Sequence, residues 1–268
     1  MNSGNVSDDR DRKVVERYDA QAAAYQELWA PTLRLASVRL LRELAGRPIR
    51  RVIDVGTGVG ALCRDLRVVC PDAWQLGIDR SPGMLRLAPL DLVRAVADAR
   101  ALPLRAESAD LVLCLFMLFH LDDPGAGICE ARRVLRPGGT VGTITWGSDL
   151  ASTATRIWTD CLDEYGAAPP DPVTQARHDR LDTPEKMEAL LRGNGFDTVR
   201  VWADDLVTVI GLDHLIELKT RMGNEKARFD SLDDVTRTTC LARARQRLYT
   251  LGPADFTAKG TIVNALAS

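Results

Sequence analysis

The stretch RVIDVGTGVGAL (51–62) decides the fold. Val52, Ile53 and Val55 form a short apolar run of strand character, with Asp54 near its end. Gly56, Gly58 and Gly60 follow at every second position, and the chain then turns helical. Glycine is needed where the backbone takes positive φ or where a ligand presses against the main chain. A strand that ends in such a turn and passes into a helix opens a doubly wound sheet, whose ligands sit outside the carboxyl ends of the strands. The glycines alone do not choose the ligand. Gly56, Gly58 and Ala61 also satisfy the Gly-x-Gly-x-x-Ala form of dinucleotide sites, and a tight turn with no ligand uses the same residues.

Reading outward, the period repeats. WQLGID (74–79), LVRAVAD (92–98), DLVLCLF (110–116) and TVGTITW (140–146) read as further strands. The run at 110–116 is apolar on both faces, as a central parallel strand requires. Ser81-Pro82 starts a helix with a cap residue and proline in its first turn. Residues 125–135 form another helix, stopped by Pro137-Gly138-Gly139. Strand–helix alternation of this kind means right-handed βαβ units, a parallel sheet and helices on both faces. Upstream, 1–13 is charged and reads as frayed, 14–29 (VVERYDAQAAAYQELW) as a helix, and Pro31 opens a second helix. Downstream of Trp146 the alternation breaks. Helix is expected at 152–165, a proline-rich loop at 166–173, and a Thr183-capped helix from Pro184 to about Gly193. A strand is expected from 196 towards Ile210, mostly helix at 212–249, and a closing strand at 256–266.

Composition narrows the classes. The chain has 268 residues, 46% of them apolar, which suits one domain with its own core. A formal net charge of −2 and the lack of a basic run give no reason to expect nucleic acid or an anionic membrane as partner. The six cysteines show no Cys-x-x-Cys and no Cys/His zinc spacing, so no metal is expected and a reducing compartment fits. The polar start MNSGNVSDDRDRK has no apolar core of a signal peptide, and no apolar run reaches about 18 residues. The expected location is cytoplasmic. The arginines at 221, 243, 245 and 247 read as a solvated helix face.

Charge sign separates the candidate ligands. A dinucleotide would bring a pyrophosphate to the glycine turn, where the Asp54 carboxylate repels it. A nucleoside carrying a sulfonium and an ammonium would be attracted. Asp79, at the end of the next strand, can accept both ribose hydroxyls, or else serve as a turn aspartate. Asp98 ends the third strand and can accept from an adenine amine while the Ala99 N–H reaches a ring nitrogen; a plain turn aspartate is the other reading.

Taken in order, Asp54-x-Gly-x-Gly-x-Gly, Asp79, Asp98-Ala99 before Leu102-Pro103, and EARRVLRPGGTV (130–141) resemble the class I S-adenosylmethionine-dependent methyltransferases. The similarity is to the quinone-biosynthesis-type and small-molecule branch. Residues 14–29 and LFMLFHLDDP (115–124) extend the resemblance, which covers 14–146 well and 147–268 loosely. It implies a Rossmann-like α/β fold with a seven-stranded, mostly parallel sheet, an antiparallel last strand and a helical lid. It implies one domain over 1–268. Lid helices occupy 1–45, the cofactor-binding core 46–146, a substrate lid 147–183 and 211–250, and the remaining core 184–210 and 251–268.

It further implies S-adenosylmethionine as cofactor. Asp54, Gly56, Thr57 and Gly58 would line its methionine and ribose, and Asp79 would hold the ribose. Arg80 and Met84 would flank the adenine, with Asp98 and Ala99 reading its edge. Leu115 would offer backbone to the methionine amine, and Tyr18 and Tyr25 would close over the ligand.

The expected function is methyl transfer to the oxygen, nitrogen or carbon of a small molecule, an aromatic or polyketide-like product of secondary metabolism being one such acceptor. Much of the rate of such an in-line displacement can come from positioning. If a base is needed, His120 is the candidate, readable equally as a structural histidine bonded to Asp122, Asp123 or the main chain. Trp146, Trp158, His178 and His214 are candidates for the substrate wall, with core packing or surface positions as the other reading. Two rival functions remain open: a protein that keeps the cofactor for cyclase or pericyclase chemistry, and an NAD-dependent oxidoreductase using the alternative glycine reading. A non-catalytic binding protein is a third. Substrate identity and oligomeric state are not legible in the sequence.

Overall fold

The computed structural model describes residues 3–268, with side chains from Asp11 onward. Its strands are β1 (Arg51–Val55), β2 (Trp74–Asp79), β3 (Val93–Val96), β4 (Ala109–Leu115), β5 (Leu135–Ala151), β6 (Val199–Val209) and β7 (Thr257–Ala267). They form one sheet in the order β3-β2-β1-β4-β5-β7-β6. β1 to β5 pair in parallel, and β7 runs antiparallel to both β5 and β6. The strand order reverses between β1 and β4, so a crevice opens beyond their carboxyl ends. The sheet is the seven-stranded, mostly parallel, Rossmann-like one expected.

The helices are α1 (Ser3–Leu28), α2 (Ala30–Arg42), α3 (Cys63–Val69), α4 (Pro82–Leu87), α5 (Pro124–Val134), α6 (Thr153–Glu164), α7 (Pro172–His178), α8 (Pro184–Gly193), α9 (Leu212–Arg221), α10 (Gly223–Asp230) and α11 (Asp234–Tyr249). Alternation along the strands divides the core. Ile53, Val55, Val112 and Cys114 point to the face covered by α5 and α8, where Ile128, Met187 and Leu191 are buried. Val52, Leu111 and Leu113 point to the other face, under Leu40, Leu41 and Leu44. β4 is buried along its whole length: residues 111–115 are apolar on both faces, and the buried Asp110 is paired with Arg136. The helices α6, α9, α10 and α11 share a separate core around Trp158, Leu215, Phe229 and Leu248.

Local chemistry sets the helix starts. Ser81 accepts from the Met84 N–H at 3.0 Å with Pro82 behind it, and Thr183 accepts from the Lys186 N–H before Pro184. α1 is drawn over the crevice by Asp19, which accepts from the Gly83 N–H at 2.6 Å. A Cβ on Gly83 would stand 2.7 Å from the Asp19 Cα.

Three local expectations change. Residues 1 and 2 lie outside the described residues, and helix runs through the segment expected to fray. α1 begins at Ser3, and Asp11 is 2% exposed because Arg80 and Arg100 clamp it at 3.0 and 2.7 Å. The proline-rich segment ends in a helix, since Asp171 accepts from the Val173 and Thr174 N–H groups and Pro172 takes the first turn; His178 closes α7 and is not in a loop. β5 outruns its expected end at Trp146 and reaches Ala151, because β7 keeps pairing with it across two register shifts. Among the described residues no helix is long and apolar enough to cross a membrane, and no group of His, Cys, Asp and Glu could hold a metal.

Candidate active site

The end of β1 supplies the floor. Gly56 and Gly58 have φ of +76° and +56°. A Cβ on Gly56 would lie 2.7 Å from the Met117 Cβ, and one on Gly58 would meet Met84 at 3.1 Å. Both positions therefore need glycine for conformation, and Gly56 for space as well. Asp54 is buried, and the Thr57 hydroxyl donates to its Oδ2 at 2.7 Å. Burial pushes the Asp54 carboxyl up to about 6, against the Thr57 bond and with help from the Asp79 charge. Asp79 accepts from the Gly58 N–H at 2.8 Å and the Ser81 N–H at 2.9 Å. Burial raises its carboxyl too, although these donors pull the other way. Among the described residues neither carboxylate has a cation within ion-pair distance.

A cavity of about 780 Å³, including its open mouth, stands above this floor. Gly56, Gly58, Asp79, Arg80, Met84, Ala99 and Leu115 line it, and α1 roofs it with Asp11, Tyr18 and Tyr25. Asp54 and Thr57, expected to line it, do not: both are buried and bonded to each other. Asp98 does not line it. Arg100 holds both Asp98 oxygens, at 2.7 and 3.0 Å, and Arg80 approaches at 3.6 Å. Burial works to raise the Asp98 carboxyl, but these arginines and the Arg100 N–H hold it below its ordinary value. The expected adenine-reading carboxylate is therefore occupied by ion pairs, and its neighbours Ala97 and Ala99 form the wall.

A second, wider cavity of about 2040 Å³, open to solvent, adjoins the first. Tyr18, Tyr25, Phe116 and His120 belong to both. Phe116 holds φ of +54°, a strained value for an aromatic residue, at the junction. The Tyr18 Oη and His120 Nε2 are 2.9 Å apart. Burial drives the His120 pKa down to about 3, and Arg17, His178 and Arg177 add to this; burial raises the Tyr18 phenol. The pair is therefore neutral. Neither expected aspartate holds His120: Asp123 caps α5 through the Ala126 N–H, and Asp122 is ion-paired with Arg177.

Trp146 lines the second cavity, with Trp29 at 5.7 Å and Phe116 at 4.9 Å between ring centroids. His178 lines it as well, stacked on Phe119 at 4.1 Å, with its Nδ1 buried and unpartnered. Two expected wall residues are elsewhere. Trp158 is fully buried against Phe229 in the core of α6 and α9–α11, because its face of α6 is the apolar one. His214 contacts the Leu28 carbonyl at 3.0 Å and ties α9 to α1. Arg221 pairs with Glu27 and Glu217, and Arg247 with Glu164, as a solvated face would. The sequence reading missed Phe116, Trp29 and Lys219. Phe116 and Trp29 stood in the segments 115–124 and 14–29 that extend the resemblance; Lys219 carried no local signal.

Residues 53–142 match the family model described as Methyltransferase domain. The chain is 40% identical over 132 residues to the malonyl-[acyl-carrier protein] O-methyltransferase of Hahella chejuensis, covering 47% of each chain. It is 30% identical over 205 residues to that of Geobacter sulfurreducens, covering 74% of this chain and 75% of that protein. Over the first three curated relatives the chain spans 47%, 65% and 51% of their length. Among solved structures, a SAM-dependent methyltransferase of Thermotoga maritima superposes with a TM-score of 0.54 at 16% identity, over 95% of this chain and 98% of that one, a likeness of fold. Glycine turn, sheet order and sequence matches agree: the chain belongs to the class I S-adenosylmethionine-dependent methyltransferases.

Proposed function

We propose that this chain transfers the methyl group of S-adenosylmethionine to a small-molecule acceptor seated in the second cavity. The observation that carries the reading is the pair of enclosed carboxylates, Asp54 and Asp79, at a glycine turn that leaves the main chain bare and supplies no cation. Enclosed charge without a partner is unfavourable, and a cationic nucleoside relieves it. A doubly anionic nucleotide would make it worse, which argues against the oxidoreductase reading.

The residues suit the cofactor. Asp79 would accept the ribose hydroxyls, Gly56 and Gly58 would let the ligand touch the main chain, and Asp54 would face its cationic portion from below. Arg80, Met84 and Ala99 would surround the adenine, and the Leu115 backbone would meet the methionine amine. Tyr18 and Tyr25 would close over it from α1. When bound, the cofactor supplies an activated sulfonium methyl. The chain's own work is then to hold an acceptor in line and to keep water away, through Phe116, Trp29 and Trp146.

His120 fits poorly as a general base. A conjugate acid near 3 takes a proton weakly at neutral pH, and the Tyr18 phenol already faces its Nε2. The site therefore favours acceptors that arrive without a proton to lose, an ionised carboxylate above all. The curated relatives named malonyl-[acyl-carrier protein] O-methyltransferases support oxygen as the acceptor atom. The test is release of S-adenosylhomocysteine when enzyme and cofactor meet a panel of aliphatic and aromatic carboxylic acids, carrier-linked acyl groups, phenols and amines. Turnover confined to carboxylates supports the reading. Turnover confined to phenols with a bell-shaped pH profile near 7 overturns the acceptor assignment. Conversion of a substrate with no S-adenosylhomocysteine formed overturns methyl transfer itself.

A further inference from the structure

The second cavity has aromatic walls but not an apolar end. Lys219, on α9, lines it. Among the described residues its ammonium has no hydrogen-bond acceptor and no carboxylate at ion-pair distance. Burial lowers its pKa, Glu225 and Asp149 raise it from a distance, and Arg228 opposes them. Neither acid reaches ion-pair distance. Glu225, which lines the same cavity, has one oxygen 3.8 Å from Arg228 and the other buried with no hydrogen-bond partner, and Asp149 is exposed to solvent. Of the other arginines here, Arg17 lines the cavity and donates to the neutral Asn224 amide, and Arg177, which does not line it, pairs with Asp122. Arg156 also lines the cavity, but it is exposed. The buried Nδ1 of His178, at the same cavity, also has no hydrogen-bond partner. The Asp149 charge acts on both His178 and Lys219, which puts them within reach of one region of the cavity.

A partly buried lysine with no counter-ion is unfavourable in the free protein, and a ligand that brings the missing charge removes that cost. We propose that Lys219 is the specificity-determining residue of the acceptor cavity: its unpaired ammonium binds an anionic group on an acceptor whose apolar body lies against Trp29, Phe116 and Trp146. The inference rests on the second cavity being the acceptor site. The ligand class is an apolar or aromatic monoanion, and a neutral molecule of the same shape is discriminated against.

Two probes of nearly equal shape separate charge from apolar contact: 1-anilinonaphthalene-8-sulfonate, an aromatic anion, and N-phenyl-1-naphthylamine, its uncharged counterpart. Both are titrated by fluorescence into the whole protein saturated with S-adenosylhomocysteine, as wild type, Lys219→Gln and Lys219→Arg. Loss of a desolvated, charge-assisted contact weakens the anion by about tenfold or more in Lys219→Gln. Lys219→Arg keeps it within about threefold, and the neutral probe binds all three proteins alike. Equal affinity of the anion for wild type and Lys219→Gln overturns the proposal. So does a parallel loss of both probes, which would mean that the substitution merely deforms the wall. Retained anion affinity in Lys219→Gln together with its loss in Lys219→Arg would mark a steric role and also overturns it. Calorimetry with S-adenosylhomocysteine scores the underlying reading separately. Failure of wild type to bind it sinks the methyltransferase assignment, whereas normal binding beside an unaltered anion affinity in Lys219→Gln sinks only the anchor.

Discussion

Replacing Asp79 by alanine tests the cofactor floor most directly. Its carboxylate accepts from the Gly58 and Ser81 N–H groups at 2.8 and 2.9 Å and still faces the first cavity. Two ribose hydroxyls donating to an ionised carboxylate contribute about 1.5–3 kcal/mol each, so their loss removes about 3–6 kcal/mol of binding. At about 1.4 kcal/mol per factor of ten, cofactor affinity falls by roughly 10²- to 10⁴-fold. The protein itself is also touched. The Gly58 and Ser81 donors lose their acceptor, at about 1–3 kcal/mol each if no water replaces it. Asp79→Asn keeps one acceptor oxygen but sets an amide against a donor, so it falls between the two. Calorimetric titration with S-adenosylhomocysteine gives the affinity, and thermal unfolding of the same samples gives the stability. A folded Asp79→Ala protein that binds within about threefold of wild type would refute the ribose assignment and the geometry behind it.

Asp54 gives a pH signature. Its carboxyl stands at about 6 because burial disfavours the charge, so it is protonated at pH 5 and ionised at pH 7. The affinity for cationic S-adenosylmethionine should rise by about tenfold per pH unit below 6 and level off above it; a flat profile, or one unchanged in Asp54→Asn, would contradict this. In the cofactor-free protein the same raised pKa stabilises the fold fully below the unfolded value near 3.8, and that contribution is lost as pH rises through about 6. His120, driven to about 3, should show no titration of its ring protons by NMR between pH 5 and 8 and no limb in kcat near 6.5; a midpoint in that range would restore it as a base. Trp158→Ala should destabilise the protein by about 3–5 kcal/mol, because the side chain is fully buried among α6 and α9–α11. A shift under about 1 kcal/mol in urea unfolding would mean that the cluster of α6 and α9–α11 is not a core.

Local chemistry in the sequence determined the elements that do not depend on distant partners. The strand–glycine–helix unit at 51–62, the Ser81-Pro82 and Thr183-Pro184 helix starts and the strand at 74–79 were all legible, because φ constraints, caps and short apolar runs act within a few residues. For the same reason Gly56, Gly58 and Asp79 could be singled out by position alone, and all three line the first cavity. What a side chain faces is another matter. Asp98 stood at a strand end like Asp79, yet Arg100 and Arg80 occupy it, and Arg80 and Arg100 are themselves held by Asp11 from 87 residues upstream of Asp98. Trp146 and Trp158 looked alike as rim aromatics; one lies on the cavity wall and the other inside the core of α6 and α9–α11, according to which face of its element the neighbouring helices cover. Lys219 was one charge on an amphipathic helix until the folding of α9 over the second cavity left it without a counter-ion. Only tertiary packing decides which charges find partners, because each partner comes from a separate part of the chain and burial sets how much its absence matters.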